Sequence, residues 1–278
     1  MKHHFRKHLT SAARLAVFCP LVTIGTHSVV HADPSAPPSG KPSSKPPGEP
    51  TENKVTPSSE TSVKPAEKKP MVKKLANGNY QIGLITFNQK TREISIPART
   101  EIVAPGSVLE YLLVHTNGEK VHEALLTSDA DPTHLNIALK LLRYKESQEL
   151  FRELKADGTP GDTYPAVPEE TRKAARFSIH VTYKHQGKDK TVLVSDWIQH
   201  HATKKPMPKT AWVYNGSYIH DKKFKAKING NMLSILTDLS AIANYSGDDR
   251  EDDTIWFPAP RIPAGGTKVT VTLKPWKQ

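Results

Sequence analysis

VHEALLTSDADPTHLNIALKLL, residues Val121–Leu142, is the stretch where the chain changes its period. Val121 to Leu126 reads as a strand, which sends His122 and Glu123 to opposite faces. Asp131 then suits a helix N-cap, and Pro132 suits the first helical position. Leu135, Ala138, Leu139 and Leu142 recur at helical spacing. The pattern continues weakly from Tyr144 to Leu154 and has to stop by Gly158.

Alternation dominates on both sides of this stretch. YQIGLITFNQKTREISIPA reads as two strands around Asn88-Gln89-Lys90. VLEYLLVHTNGEKVHEALL reads as a hairpin turning at Asn117-Gly118. ARFSIHVTYKHQGKDKTVLVSDW is a third, with Phe177, Ile179, Val181 and Tyr183 on one face. FKAKINGNMLSIL is a fourth, turning at Asn229-Gly230, and GTKVTVTLKP adds a last alternating strand. TPGDTYPAVPEE reads as a loop. Leu239 to Tyr245 reads as a short helix behind the cap Asp238. The expected class is therefore α+β: a β-rich domain of antiparallel hairpins with one main helix and one short helix.

The N-terminal third is built differently. MKHHFRKHLTSAAR is basic and rich in His, and Leu15–Gly25 is apolar but too short to span a bilayer. Val30 and Ala32 occupy the positions a signal peptidase reads, which predicts cleavage after Ala32. Cys19 follows Phe18, too large a residue for a lipobox, so the expected mature chain has no cysteine. Residues 33–74 are rich in Pro, Lys and Ser and lack the apolar surface to offset ordering entropy. The reading is a signal peptide over 1–32, a disordered linker over 33–74 and a domain over 75–278. It predicts export to the periplasm or the extracellular space, with no transmembrane segment after cleavage.

The formal charge of +11 is concentrated in the leader and linker. Setting those residues aside leaves about +4 on the rest, too little to mark a nucleic-acid surface.

Three groups of residues carry possible chemistry. His122, Glu123 and His134 are zinc-ligand types, although their spacing is not HExxH. Asp131 is committed as a cap. SGDDREDDTIW offers Asp248, Asp249, Asp252 and Asp253 as hard oxygen ligands for Ca²⁺, without the EF-hand pattern. His200 and His201 are adjacent in a polar loop. No Ser lies in G-x-S-x-G, and neither a P-loop nor a dinucleotide fingerprint occurs. Trp197, Trp212, Trp256 and Trp276 are spread widely, as core tryptophans are.

Leu109-Glu110-Tyr111, Gly118 with Lys120, His122-Glu123 leading into Leu125-Leu126, and Pro132 before an Ala/Leu-rich helix together resemble the YdjY domain family of exported bacterial proteins. Trp212–Tyr218, Thr237-Asp238, Ala241-Ile242, the acidic loop, Ile262-Pro263 and Gly266-Thr267 extend the resemblance over about Leu75 to Pro275. The resemblance implies a bacterial exported protein and makes His122 and Glu123 the candidate functional residues. It implies no established reaction. A ferredoxin-like role would need a cysteine cluster, and Cys19 stands alone.

Three functional expectations follow. The first is a non-enzymatic binding or structural module on a flexible linker, engaging an envelope protein or polymer. The second is a hydrolase using a divalent metal at His122 and Glu123, with His134 or the Asp248–Asp253 loop completing the site. The third is a calcium-stabilised domain built on the acidic loop.

Overall fold

The computed structural model describes residues 71–277. The leader, Cys19 and the linker as far as residue 70 lie outside the described residues. Eight strands form a ring: β1 Ile94–Thr100, β2 Tyr111–His115, β3 Ala124–Ser128, β4 Arg176–His185, β5 Trp212–Tyr214, β6 Asn231–Ser234, β7 Ala243–Tyr245 and β8 Lys268–Pro275. Antiparallel pairing runs from β1 through β8, β4 and β5 to β7. β7 lies parallel to β6, β6 antiparallel to β2, and β2 parallel to β3. β3 returns to β1, with Arg99 opposite Thr127 and Thr100 opposite Leu126, and the sheet closes. The protein is thus mostly β, a closed barrel with short helices, and the expected α+β class is overturned.

Period-two alternation builds the interior. Ile94 and Ile96 of β1, Phe177, Ile179 and Val181 of β4, and Val269, Val271 and Leu273 of β8 are all buried in one core. β2, β3 and β5 read as unbroken apolar runs because both of their faces are covered. Behind β5, Val213 packs with Leu150 and Ala175, and behind β2, Tyr111 and Val114 pack with Ala124. Trp197, Trp212 and Trp256 are core residues.

The helices are α1 Pro132–Leu141, α2 Glu169–Ala175 and α3 Lys225–Asn229. Asp131 caps α1 as expected, accepting from the Thr133 amide at 2.7 Å. The helix does not run on toward Leu154, because Arg143 adopts a positive φ of 61°. Tyr144 instead packs edge-on against Phe177, and its hydroxyl donates to the Arg92 carbonyl at 3.0 Å.

Four local readings also need correction. The segment around Asn117-Gly118 is not a hairpin. Thr116–Glu123 forms a crossover containing a 3₁₀ turn at Val121–Glu123, so β2 and β3 run in the same direction. His122 and Glu123 therefore sit on this turn and not on a strand. Lys225–Asn229 is α3, closed by Gly230 in the left-handed region, so β6 has no hairpin partner there. Asp238 caps only a turn, through the Ser240 amide at 2.8 Å, and Ala243–Tyr245 enters the ring as β7 because β5 offers it a full ladder. The last two residues of the expected loop, Glu169 and Glu170, instead open the helix Glu169–Ala175, favourably placed in its first turn. The third hairpin stands as read: β4 pairs with Lys188–Leu193 through Gln186-Gly187.

Candidate functional site

The parallel register of β2 and β3 sets Tyr111 beside Ala124, so Glu110 and Glu123 enter the sheet side by side. The Glu110 amide donates to the Glu123 carbonyl at 3.1 Å. The Lys120 ammonium lies between the two carboxylates, 2.7 Å from Glu123 Oε2 and 3.5 Å from Glu110 Oε2. Burial, then a hydrogen bond with Glu123, pushes the Glu110 carboxyl above its usual range. Burial also acts to raise Glu123, but Lys120 and the hydrogen bond with Glu110 outweigh it and hold that carboxyl below its usual range. Glu123 therefore gives up its proton at lower pH than Glu110. His122 is mostly exposed and reaches Glu123 Oε1 at 3.2 Å.

Beneath this cluster lies a buried polar network. Asp238 Oδ2 accepts from Asn231 at 2.8 Å, Ser240 at 2.9 Å and Tyr111 at 3.2 Å. Burial and the Asp238 charge raise the Tyr111 phenol well above its ordinary range, so it stays protonated as a donor. Glu110, Tyr111 and Lys120 were visible in the sequence only through the family resemblance. Asn231 and Ser240 were missed, since no local pattern places them beside Tyr111.

The remaining candidate ligands lie apart. His134 sits in the first turn of α1 with its ring over Gly83. In the acidic loop, Asp252 Oδ1 accepts from the Thr254 amide at 2.9 Å and hydroxyl at 2.7 Å. Glu251 accepts from Arg152 at 2.7 Å and from Tyr164 at 3.0 Å. Asp249 is raised by burial, and Asp248 and Asp253 are exposed. His200 meets Trp256 edge-on at 5.8 Å between centroids, and His201 packs tilted against Phe257 at 4.5 Å. Among the described residues no three His, Cys, Asp or Glu side chains are grouped to hold a metal ion. The structure joins His122 to Glu123 and to neither His134 nor the acidic loop.

A cleft of about 560 Å³ opens on the outer side of β1, β8 and β4. Pro97, Thr270 and Thr182 face outward in one cross-strand row, and Arg99, Lys268 and Lys184 in the next. Lys184 pairs with Asp189 at 3.0 Å, and Arg99 with Glu101 at 3.7 Å. The cleft is walled by strands, its lining is more apolar than polar, and it carries Arg99, Lys184 and Lys268 together with Asp129 and Asp189.

Residues 85–274 match the YdjY domain family. The chain belongs to that family. The matched span of the YdjY domain holds all of the barrel except the last residue of β8, the Glu110–Lys120–Glu123 cluster, and all of the cleft lining but Leu84. No curated protein and no solved structure matches the chain. Among the described residues no helix is long and apolar enough to cross a membrane.

Proposed function

We propose that the protein is an exported binding or structural module of the cell envelope, which holds a partner without transforming it. The leader-like N-terminus and the Pro/Lys-rich linker support the export reading. The cleft carries the binding reading: Arg99, Lys184 and Lys268 project together from three paired strands, beside outward hydroxyls of Thr182 and Thr270. Rigid strands hold these side chains in register, so a partner presenting carboxylate or phosphate groups meets a preorganised surface. The partner is an envelope protein or polymer of that chemistry.

The test is cross-linked capture from envelope extract by the mature chain and by an Arg99→Glu/Lys268→Glu variant. Both positions are partly exposed, so the barrel is expected to persist. Capture of one species by wild type and its loss from the variant supports the reading. Equal capture by both, or none by either, removes it.

A further inference from the structure

We propose that the open edge of Lys188–Leu193 receives an extended acidic peptide as an added strand. This rests on the binding-module reading and names the class of partner.

The edge follows from the hairpin. Gln186 and Gly187 take positive φ values of 50° and 78°, the signature of a two-residue turn. The pair flanking such a turn is hydrogen-bonded, and bonded and unbonded pairs then alternate. His185↔Lys188, Tyr183↔Lys190 and Val181↔Val192 are therefore the bonded pairs. Asp189 and Thr191 direct their amides and carbonyls away from β4. Among the described residues, Lys188–Leu193 pairs with β4 alone.

Both faces of this edge carry a cleft. On the outer face the cleft of about 560 Å³ reaches Asp189, with Lys184 and Lys268 in its wall. On the opposite face a second cleft of about 270 Å³ is lined by Tyr183, Val192, Trp197 and Pro206, with Lys190 and Arg261 also in its wall. Alternate side chains of an added strand fall to opposite faces. Lys188 and Lys190 share the face of Tyr183 and Val192, with Arg261 and Asp196 in the cleft wall, so acidic side chains would fall on that face; the intervening side chains would lie beside Asp189 and Thr191 on the outer face. Lys188, Asp189 and Lys190 are exposed, the kind of charges that keep an edge from pairing with its own copies. Acidic side chains complement Lys188, Lys190 and Arg261, and uncharged ones between them avoid Asp189, which identifies the occupant as a peptide with an acidic residue at every second position.

The probe is acetyl-Glu-Val-Glu-Tyr-Glu-Val-amide, titrated into the mature chain. Thr191→Pro deletes one outward amide and no bond to β4, a placement proline tolerates on an edge strand. Thr191→Val loses the same hydroxyl contact with Thr182 but keeps the amide. Thr191→Pro is expected to weaken binding by about tenfold, and Thr191→Val by about twofold or less. Amide exchange at Asp189 and Thr191 of wild type should slow on peptide addition. If Thr191→Pro does not fold, that exchange measurement decides alone, and unchanged exchange overturns the proposal. Equal binding by both variants overturns it as well. Absence of peptide binding, with envelope capture still lost in Arg99→Glu/Lys268→Glu, removes strand addition and leaves the binding-module reading intact.

Discussion

A Cβ added to Gly230 would lie 2.6 Å from the Cα of Gly118. The two crossover loops of the barrel therefore meet glycine on glycine. The Gly230 carbonyl also accepts from the His115 amide at 2.8 Å, and Gly230 holds a φ of +81°. Only glycine satisfies both the angle and the approach. Gly230→Ala should cost about 2–4 kcal/mol, and Gly118→Ala about 1–3 kcal/mol. Urea unfolding of the full chain measures both, and losses under half a kcal/mol would show the loops free to separate.

The join between β1 and the turn that leads into β8 leans on one hydroxyl. Thr100 is buried, donates through Oγ1 to the Ala264 carbonyl at 2.6 Å and accepts from the Thr267 amide at 3.0 Å. Thr100→Val keeps the shape and strands both partners, so about 1–3 kcal/mol should be lost. Thr100→Ser should recover most of it. Equal destabilisation by Val and Ser would assign the effect to packing.

Tyr214 anchors α1 to the barrel, its hydroxyl 2.6 Å from Asn136 Oδ1 and 3.1 Å from Glu146 Oε1. Tyr214→Phe should lower stability by about 1–2 kcal/mol, because a part-buried acceptor loses its donor. The exposed pair of Lys140 with Glu146, at 3.0 Å, should matter less: Lys140→Ala is expected to cost about 0–1 kcal/mol. A reversed ranking would mean that α1 is held by its surface charges.

The carboxyl pair has opposite pH signatures. Glu110 is raised in the folded state, so its contribution is present below the ordinary carboxyl value of 4.5 and is lost as pH rises through the folded value. Glu123 is lowered, so its contribution is present above that value and is lost as pH falls through the folded one. At pH 7, Glu123→Gln should melt below wild type and Glu110→Gln at or above it. The Glu123→Gln deficit should shrink in acid. Melting curves from pH 3 to 8 that run parallel for all three proteins would dissolve the pair.

Metal dependence is open to a direct check. Asp252 and Glu251 already accept hydrogen bonds from their neighbours, and His134 lies over Gly83. The melting temperature of the full chain should therefore be unchanged by EDTA or by millimolar Ca²⁺. A rise of several degrees with calcium would reinstate the acidic loop as a site.

What was legible in the sequence follows the range of the interactions involved. β4 and β8 were readable because Phe177, Ile179 and Val181, and Val269, Val271 and Leu273, alternate within a few residues. The Asp131–Pro132 cap was equally local. Closure was not readable: it depends on Arg99 lying opposite Thr127 and Thr100 opposite Leu126. No periodicity encodes such pairs. Asn117-Gly118 and Asn229-Gly230 misled for a physical reason. Glycine serves a hairpin turn, a helix C-cap or a close approach of loops; here Gly230 closes α3 with a positive φ, and Gly118 lets the loops meet. At the candidate site, His122 and Glu123 stood out by adjacency. Glu110 gains its meaning only from the parallel register, which brings it level with Glu123.

β8 enters the ring between β1 and β4 and is the last strand in the chain. Until those residues are synthesised, β1 and β4 have no neighbour on the sides β8 will occupy, and every shorter length of chain exposes two long unpaired edges. Loop closure across this distance makes the final docking slow. A chain shortened before Lys268 is thus expected to leave both edges open to pairing with other chains.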